Sequence, residues 1–185
     1  WFYVDIRKDP LDLQFQILRY VGDSPVFEHK CEFYPLGIHS GYELLNGSGL
    51  LKDWCTKTKF LGYKGLSVAD RNTMAASLDL QQSATEKGIK YCFGYSLTVN
   101  TGKDKVGVKI YSATQQGFKN MLRIQKAIAV DNIDTKEINL IDFLNLADGN
   151  TLVFDRWSGH WLTDNKGILQ DFITAFSGWV FFQVD

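Results

Sequence analysis

The chain has 185 residues, 45% hydrophobic and 22% charged, which is the composition of a globular protein with enough residues for one well-packed domain. Its 20 basic and 21 acidic residues show no global basic surplus, so the composition does not indicate a nucleic-acid-binding domain. The three cysteines form no Cys-x-x-Cys pair and no apolar run is long enough to span a membrane, which argues against a zinc finger and favours free thiols in a reducing compartment.

The N-terminal part of the chain has the pattern of a β-hairpin. Apolar and polar residues alternate over 11–21, a turn signal follows at 22–25, and residues 26–34 alternate again. We therefore predict a hairpin extension over residues 1–34 and an α/β domain over residues 35–185.

From residue 35 onward, short apolar runs alternate with segments of helical periodicity, and glycine-containing turns separate them. The predicted strands are 66–68, 91–99, 106–110, 152–154 and 179–184, and the predicted helices are 50–61, 73–87, 114–130, 138–147 and 167–176. Asp70 or Asn72 is expected to cap the second helix. The order strand, turn, helix is typical of parallel sheets and barrels, in which chemistry is placed at the carboxyl ends of the strands.

Three motifs follow one another in this part of the chain: PLGIHSGYELLNG at Pro35–Gly47, SVADRNTM at Ser67–Met74 and GIKYCFGYS at Gly88–Ser96. Together they resemble the PHP (polymerase and histidinol phosphatase) domain at the start of bacterial DNA polymerase III alpha subunits. In that family the motifs typically read HLHVHSDYSLLDG, AITDHGNM and GIKPIIGCE. The likeness extends from Phe33 to about Gln183. Two further segments similar to the family are Thr114–Ala129 and Phe176–Val184.

The resemblance implies an α/β fold, namely a partial or distorted (β/α) TIM-like barrel of the PHP type, preceded here by the N-terminal β-hairpin. The family's barrel usually has seven strands, and this chain ends before the family's last units. We therefore expect a piece of a longer protein. Active members of the family bind a cluster of metal ions through histidines and carboxylates, and such ions activate water for attack on phosphorus.

Most of the family's metal-binding positions are altered in this sequence. His39 and Asp70 are retained at theirs. The altered positions are Pro35, Gly37 and Arg71, each in place of a histidine, Ser96 in place of a glutamate, and Arg156 in place of a cysteine. A permanent guanidinium at a ligand position repels divalent ions. The resemblance thus implies a vestigial site whose rim consists of His39, Asp70, Arg71, Ser96 and Arg156.

The favoured function is that of a catalytically silent PHP-like scaffold in a family C DNA replication protein, with no cofactor. Its expected partner is the rest of a DNA polymerase chain or a replisome subunit, in the cytoplasm, with no membrane contact and no direct sequence-specific binding of nucleic acid.

Two alternatives stay open. One is an active metal-dependent phosphoesterase or 3′–5′ exonuclease that uses manganese or zinc, with His39, Asp70 and His160 as ligands. The other is a protein-interaction module that uses the aromatic segments Trp1–Tyr3 and Trp179–Phe182.

Overall fold

The structure, a computed structural model, describes residues 2–6, 15–20 and 33–183 of the chain. The chain forms two compact units, Trp1–Cys31 and Glu32–Asp185. Each is described by itself.

The first unit contains two antiparallel strands, β1 (Phe2–Ile6) and β2 (Phe15–Tyr20), whose register shifts between Tyr3 and Val4. Strand β2 lies within the predicted strand 11–21. Its partner is β1, which sequence analysis left unassigned. The predicted second strand, 26–34, falls outside the described residues except for its last two, which are not in a strand.

The second unit alternates helices and strands, as the sequence pattern predicts. In chain order they are α1 (Leu51–Phe60), β3 (Gly65–Ser67), α2 (Ser77–Lys87), β4 (Lys90–Cys92), β5 (Gly94–Asn100), β6 (Lys105–Ser112), α3 (Gln115–Lys126), β7 (Glu137–Asn139), α4 (Leu140–Asn145), β8 (Asn150–Phe154), α5 (Arg156–Asp164), α6 (Lys166–Ala175) and β9 (Val180–Phe182). A π-helical turn, Ala127–Asp131, follows α3. Among the described helices, none combines the length and apolar character needed to cross a membrane.

The main sheet has five strands in the order β7-β5-β6-β8-β9. Strands β5 and β6 form an antiparallel hairpin, β6 and β8 are also antiparallel, and β7 and β9 are attached in parallel at the two edges. A separate parallel pair joins β3 to β4. Single bridges, Ile38 to Val68 and Arg71 to Ser96, extend the parallel arrangement beyond these short strands.

The expected TIM-like barrel is not closed among the described residues. Strands β7 and β9 are the two edges of the main sheet and do not pair with each other. Within the described residues, β3 and β4 form a separate pair, which two isolated bridges extend. The predicted strand 91–99 is also divided, because β4 and β5 belong to different sheets on either side of Phe93. Immediately after this break, a Cβ atom on Gly94 would lie 2.3 Å from the Tyr111 ring, so this position requires glycine.

Two apolar clusters support the site described below. The larger one packs one face of the main sheet against α3, α4 and α6, and includes the fully buried Phe143, Phe154 and Phe172. The smaller one packs α1 and α2 against β3 around Cys55 and Leu80. These contacts hold the carboxyl end of β3 beside the turn that follows Ile38.

Candidate functional site

Two neighbouring chain segments bring His39 and Asp70 together. The Ala69 N–H donates to the Ile38 carbonyl at 2.7 Å, so the residues that follow Ile38 and Val68 lie side by side. This is the carboxyl end of the parallel segments, where the sequence pattern predicts functional groups.

Asp70 ties the two segments together from a fully buried position. Its Oδ1 accepts a hydrogen bond from the Ser40 N–H at 2.6 Å, and its Oδ2 accepts one from the Ser40 hydroxyl at 2.5 Å. The expected role of Asp70 or Asn72 as a helix cap is wrong, because α2 begins after Ala76. Asn72 instead adopts a positive φ of 54° and donates its N–H to the Ser96 carbonyl.

Glu43 is a site residue that sequence analysis missed. Its Oε2 lies 2.5 Å from His39 Nδ1 and accepts the Arg71 N–H at 3.0 Å, while its Oε1 accepts from Asn46 Nδ2 at 3.1 Å. Burial alone would raise the pKa of the Glu43 carboxyl, but the hydrogen bonds from His39, Arg71 and Asn46 outweigh it and lower that pKa. The feature of the sequence that could have identified Glu43 is its position four residues after His39.

His39, Glu43 and Asp70 can offer ligand atoms that all lie within 4.8 Å of one another. In the part of the chain that the structure describes, this is the one group of three such residues, and His160 is not part of it. His160 lies on the exposed side of α5. One nitrogen and two carboxylates are enough for a single divalent ion but not for a cluster of ions.

Of the other predicted rim residues, Ser96 lies in β5, Arg71 in the isolated bridge beside it, and Arg156 at the start of α5. Arg71 pairs with Ser96 through the isolated parallel bridge, and its side chain is exposed. Arg156 is the first residue of α5, whose N-cap is Asp155. The bridge confirms that the second and third motifs are adjacent in space, although they are 25 residues apart in sequence.

Lys109 is a second residue that sequence analysis missed. It lies opposite Ser96 in the β5–β6 hairpin, and its Nζ donates to Gln183 Oε1 at 2.6 Å. A Cβ atom on Gly37 would lie 3.6 Å from this Nζ. The Lys109 ammonium therefore lies beside position 37, where the resemblance implies a metal-binding histidine in the family.

Comparison with known proteins identifies the family. A sequence profile described as the PHP domain matches residues 35–152, which is more than half of the chain. The chain belongs to the PHP domain family. The match contains the first three motifs and most of the main sheet, and it confirms the resemblance on which the site assignment depends.

This PHP domain is similar to part of several DNA polymerase III alpha subunits. It is 28% identical to that of Helicobacter pylori over 98 residues, which are 49% of this chain and 8% of the polymerase subunit. It is 24% identical to that of Bacillus subtilis over 99 residues, which are 52% of this chain and 9% of the subunit. The matched region therefore spans only about a tenth of these relatives.

Solved structures show the same fold. A crystal structure described as a proposed metal-dependent phosphoesterase from Bifidobacterium adolescentis superposes with a TM-score of 0.56 at 10% identity, covering 82% of this chain and 77% of that one. An amidohydrolase from Chromobacterium violaceum gives 0.54 at 12% identity, covering 80% and 75%. These likenesses concern the α/β fold alone.

Neither described cysteine of this PHP domain has the properties of a nucleophile. Burial raises the pKa of the Cys92 thiol to about 11, and burial together with the Asp79 carboxylate raises that of Cys55 to about 11. We expect both thiols to react with iodoacetamide near pH 8 roughly a hundredfold more slowly than the same thiols in the urea-unfolded chain, because the thiolate is the reacting form. Mass spectrometry of each peptide measures the two rates. Alkylation of native Cys92 at the unfolded rate would contradict this prediction and point to a usable thiolate.

Proposed function

We propose that this PHP domain is a catalytically silent scaffold within a DNA polymerase III alpha-like replication protein, and that it works in the cytoplasm. The observation that carries the proposal is the replacement of the family's ligands by groups that cannot hold a metal cluster. Asp70 uses both carboxylate oxygens to hold Ser40, and Glu43 accepts three hydrogen bonds. An ion would have to displace or share these contacts.

The cations beside the site support the same proposal. Arg71 follows Asp70 directly, and the Lys109 ammonium lies next to position 37. Each positive charge raises the free energy of a divalent ion placed nearby. The sequence similarity to alpha subunits suggests the partner, which we propose is the rest of a polymerase chain or another replisome subunit.

The test is the metal content of the 185-residue chain. The protein is purified without chelator, soaked in manganese or zinc, desalted and subjected to elemental analysis. We expect fewer than one tightly bound ion per chain and no metal-dependent release of phosphate or nucleotides. Two or three ions per chain, with release that is lost in His39→Ala, would overturn the proposal.

One observation favours a second candidate function, a metal-dependent phosphoesterase or 3′–5′ exonuclease with a single manganese or zinc ion. This observation is the convergence of His39, Glu43 and Asp70 within 4.8 Å. The candidate predicts one ion per chain, bound by the wild type and lost in both His39→Ala and Glu43→Gln. Binding that survives both substitutions would place the ion elsewhere and exclude this site.

A further inference from the structure

Lysines converge at the amino end of the β3–β4 pair, the end opposite to Asp70. Helices α1 and α2 both end here, and the two parallel strands begin here. The Lys90 N–H donates to the Lys64 carbonyl at 2.9 Å, and Lys59 Nζ donates to the Lys87 carbonyl at 2.8 Å, so these chain segments are adjacent. The lysines at this end are Lys57, Lys59, Lys64, Lys87 and Lys90.

This end of the domain is locally positive, although the whole chain has a net charge of −1. Segments 56–64 and 84–90 contain these lysines and a single carboxylate, Glu86. All the lysines except the partly buried Lys87 are exposed. Among the described residues, none of them takes part in an ion pair. Their positive charge is therefore available to an anionic partner.

Helix stabilisation explains only part of this charge. Lys57, Lys59 and Lys87 lie in the last turns of α1 and α2, where a cation stabilises the partial negative charge of the terminal carbonyl groups. Lys64 and Lys90 lie instead at the starts of β3 and β4. Their charge has no helix end of its own to stabilise.

Exposed aromatic side chains lie among the lysines. Phe60, the last residue of α1, is 80% exposed, and the Lys57 ammonium lies 5.3 Å from the centre of its ring. Phe33 is exposed and contacts the Tyr63 ring edge-on, with the ring centres 4.9 Å apart, and Tyr63 directly precedes Lys64. Aromatic rings on which bases stack, beside cations that contact phosphates, are the groups with which proteins bind single-stranded nucleic acids.

The exposed rings favour a single strand over other anionic partners. A nucleic-acid duplex keeps its bases stacked on each other, and an acidic peptide has carboxylates for the lysines but no regular series of flat rings for Phe60. Lysine ammonium groups act as point charges and contact phosphates without reading the bases. The surface is therefore suited to binding that does not depend on base sequence.

We propose that this basic and aromatic surface binds single-stranded nucleic acid without sequence preference and without a metal ion. It consists of Lys57, Phe60, Tyr63, Lys64, Lys87 and Lys90. The extended chain from Lys64 to Asp70 spans about 20 Å at about 3.3 Å per residue. The surface is thus separate from the candidate metal ligands, and the proposal does not depend on the scaffold role.

The test is fluorescence anisotropy of a labelled oligothymidylate of about 16 nucleotides, the upper end of the site sizes of single-strand-binding folds. The 185-residue chain is titrated into this probe, and into an oligouridylate of the same length, in a buffer that contains EDTA. The logarithm of the affinity should fall linearly with the logarithm of the sodium chloride concentration, with a slope of about −0.7 for each phosphate contacted.

Two sets of variants separate the charges from the ring. The double variant Lys64→Gln/Lys90→Gln should weaken binding and make the salt slope less steep by about 1.4. Lys119→Gln, which removes an exposed lysine on α3, is the matched control and should bind as the wild type does. Phe60→Ala should weaken binding roughly tenfold without changing the slope, because it removes stacking but no charge. Its control is Trp157→Ala, which removes an equally exposed ring on α5.

The replaced side chains are exposed, so circular dichroism should show each variant folded as the wild type is. Tighter binding of oligothymidylate would identify DNA as the ligand, and tighter binding of oligouridylate would identify RNA. Absence of binding to both probes, or wild-type affinity of Phe60→Ala, would overturn the proposal. Polyglutamate that displaces the probe at the same charge concentration as unlabelled oligothymidylate would also overturn it and would indicate an acidic protein segment as the partner.

Discussion

Asp70→Ala is expected to lower the free energy of unfolding of the second unit by about 3 kcal/mol, because it removes two buried hydrogen bonds to a carboxylate and leaves the Ser40 donors unsatisfied. Ser40 N–H and Oγ both donate to Asp70, and both residues are fully buried. Urea unfolding followed by circular dichroism measures the change. The decrease in the free energy of unfolding should be the same with and without added manganese or zinc.

Two variants control for this result. Ser40→Ala removes only the hydroxyl and keeps the backbone N–H that binds Oδ1, so it should cost about half as much. Asp134→Ala removes an exposed carboxylate and should change stability by less than about 0.5 kcal/mol. If Asp70→Ala is as stable as Asp134→Ala but no longer binds a metal, Asp70 is retained as a ligand and not as a structural link.

The local features of this fold follow from short stretches of sequence. Thr114 accepts the Gly117 N–H and begins α3 at the predicted position. Gly88 ends α2 with a positive φ of 65°. The alternation over 106–110 predicts a strand, and the structure pairs this strand, β6, with β5 in an antiparallel hairpin. Each of these depends on contacts between residues a few positions apart, which a single sequence carries.

The features that sequence analysis missed depend on residues that are far apart in the chain. The break at Phe93 reflects the approach of Tyr111 to Gly94. Lys109 belongs to the site only because hairpin pairing places it opposite Ser96 and beside Gly37. The sequence pattern predicts Asp70 or Asn72 as a helix cap, whereas the side chain of Asp70 accepts hydrogen bonds from Ser40, 30 residues earlier. The family motifs indicate where in the sequence the site lies. Which of its side chains contact each other can be seen only in the folded structure, because the partners are far apart in the chain.

Gly47→Ala is expected to destabilise the loop that carries His39 and Glu43. A Cβ atom on Gly47 would lie 1.7 Å from the Ser40 carbonyl oxygen and 2.5 Å from its carbon. Both are backbone atoms of the segment that Asp70 holds in place, so neither can move away as a flexible side chain would. We expect a loss of about 2–3 kcal/mol in the free energy of unfolding, the range for inserting a methyl group into a closely packed place.

Gly41→Ala in the same loop is the matched control. The nearest atom to its added Cβ is the Gly49 carbonyl oxygen at 3.6 Å, an ordinary contact, and its φ is not positive. We expect this variant to unfold within about 0.5 kcal/mol of the wild type. Because the Gly47 N–H donates to the Glu43 carbonyl at 2.9 Å, displacement of Gly47 should also separate Glu43 from His39, which the NMR chemical shifts of the His39 ring would report. Equal stability of the two alanine variants, with unchanged His39 shifts, would mean that the loop does not close on Gly47 as described. The candidate metal ligands would then lack the rigid turn that holds them together.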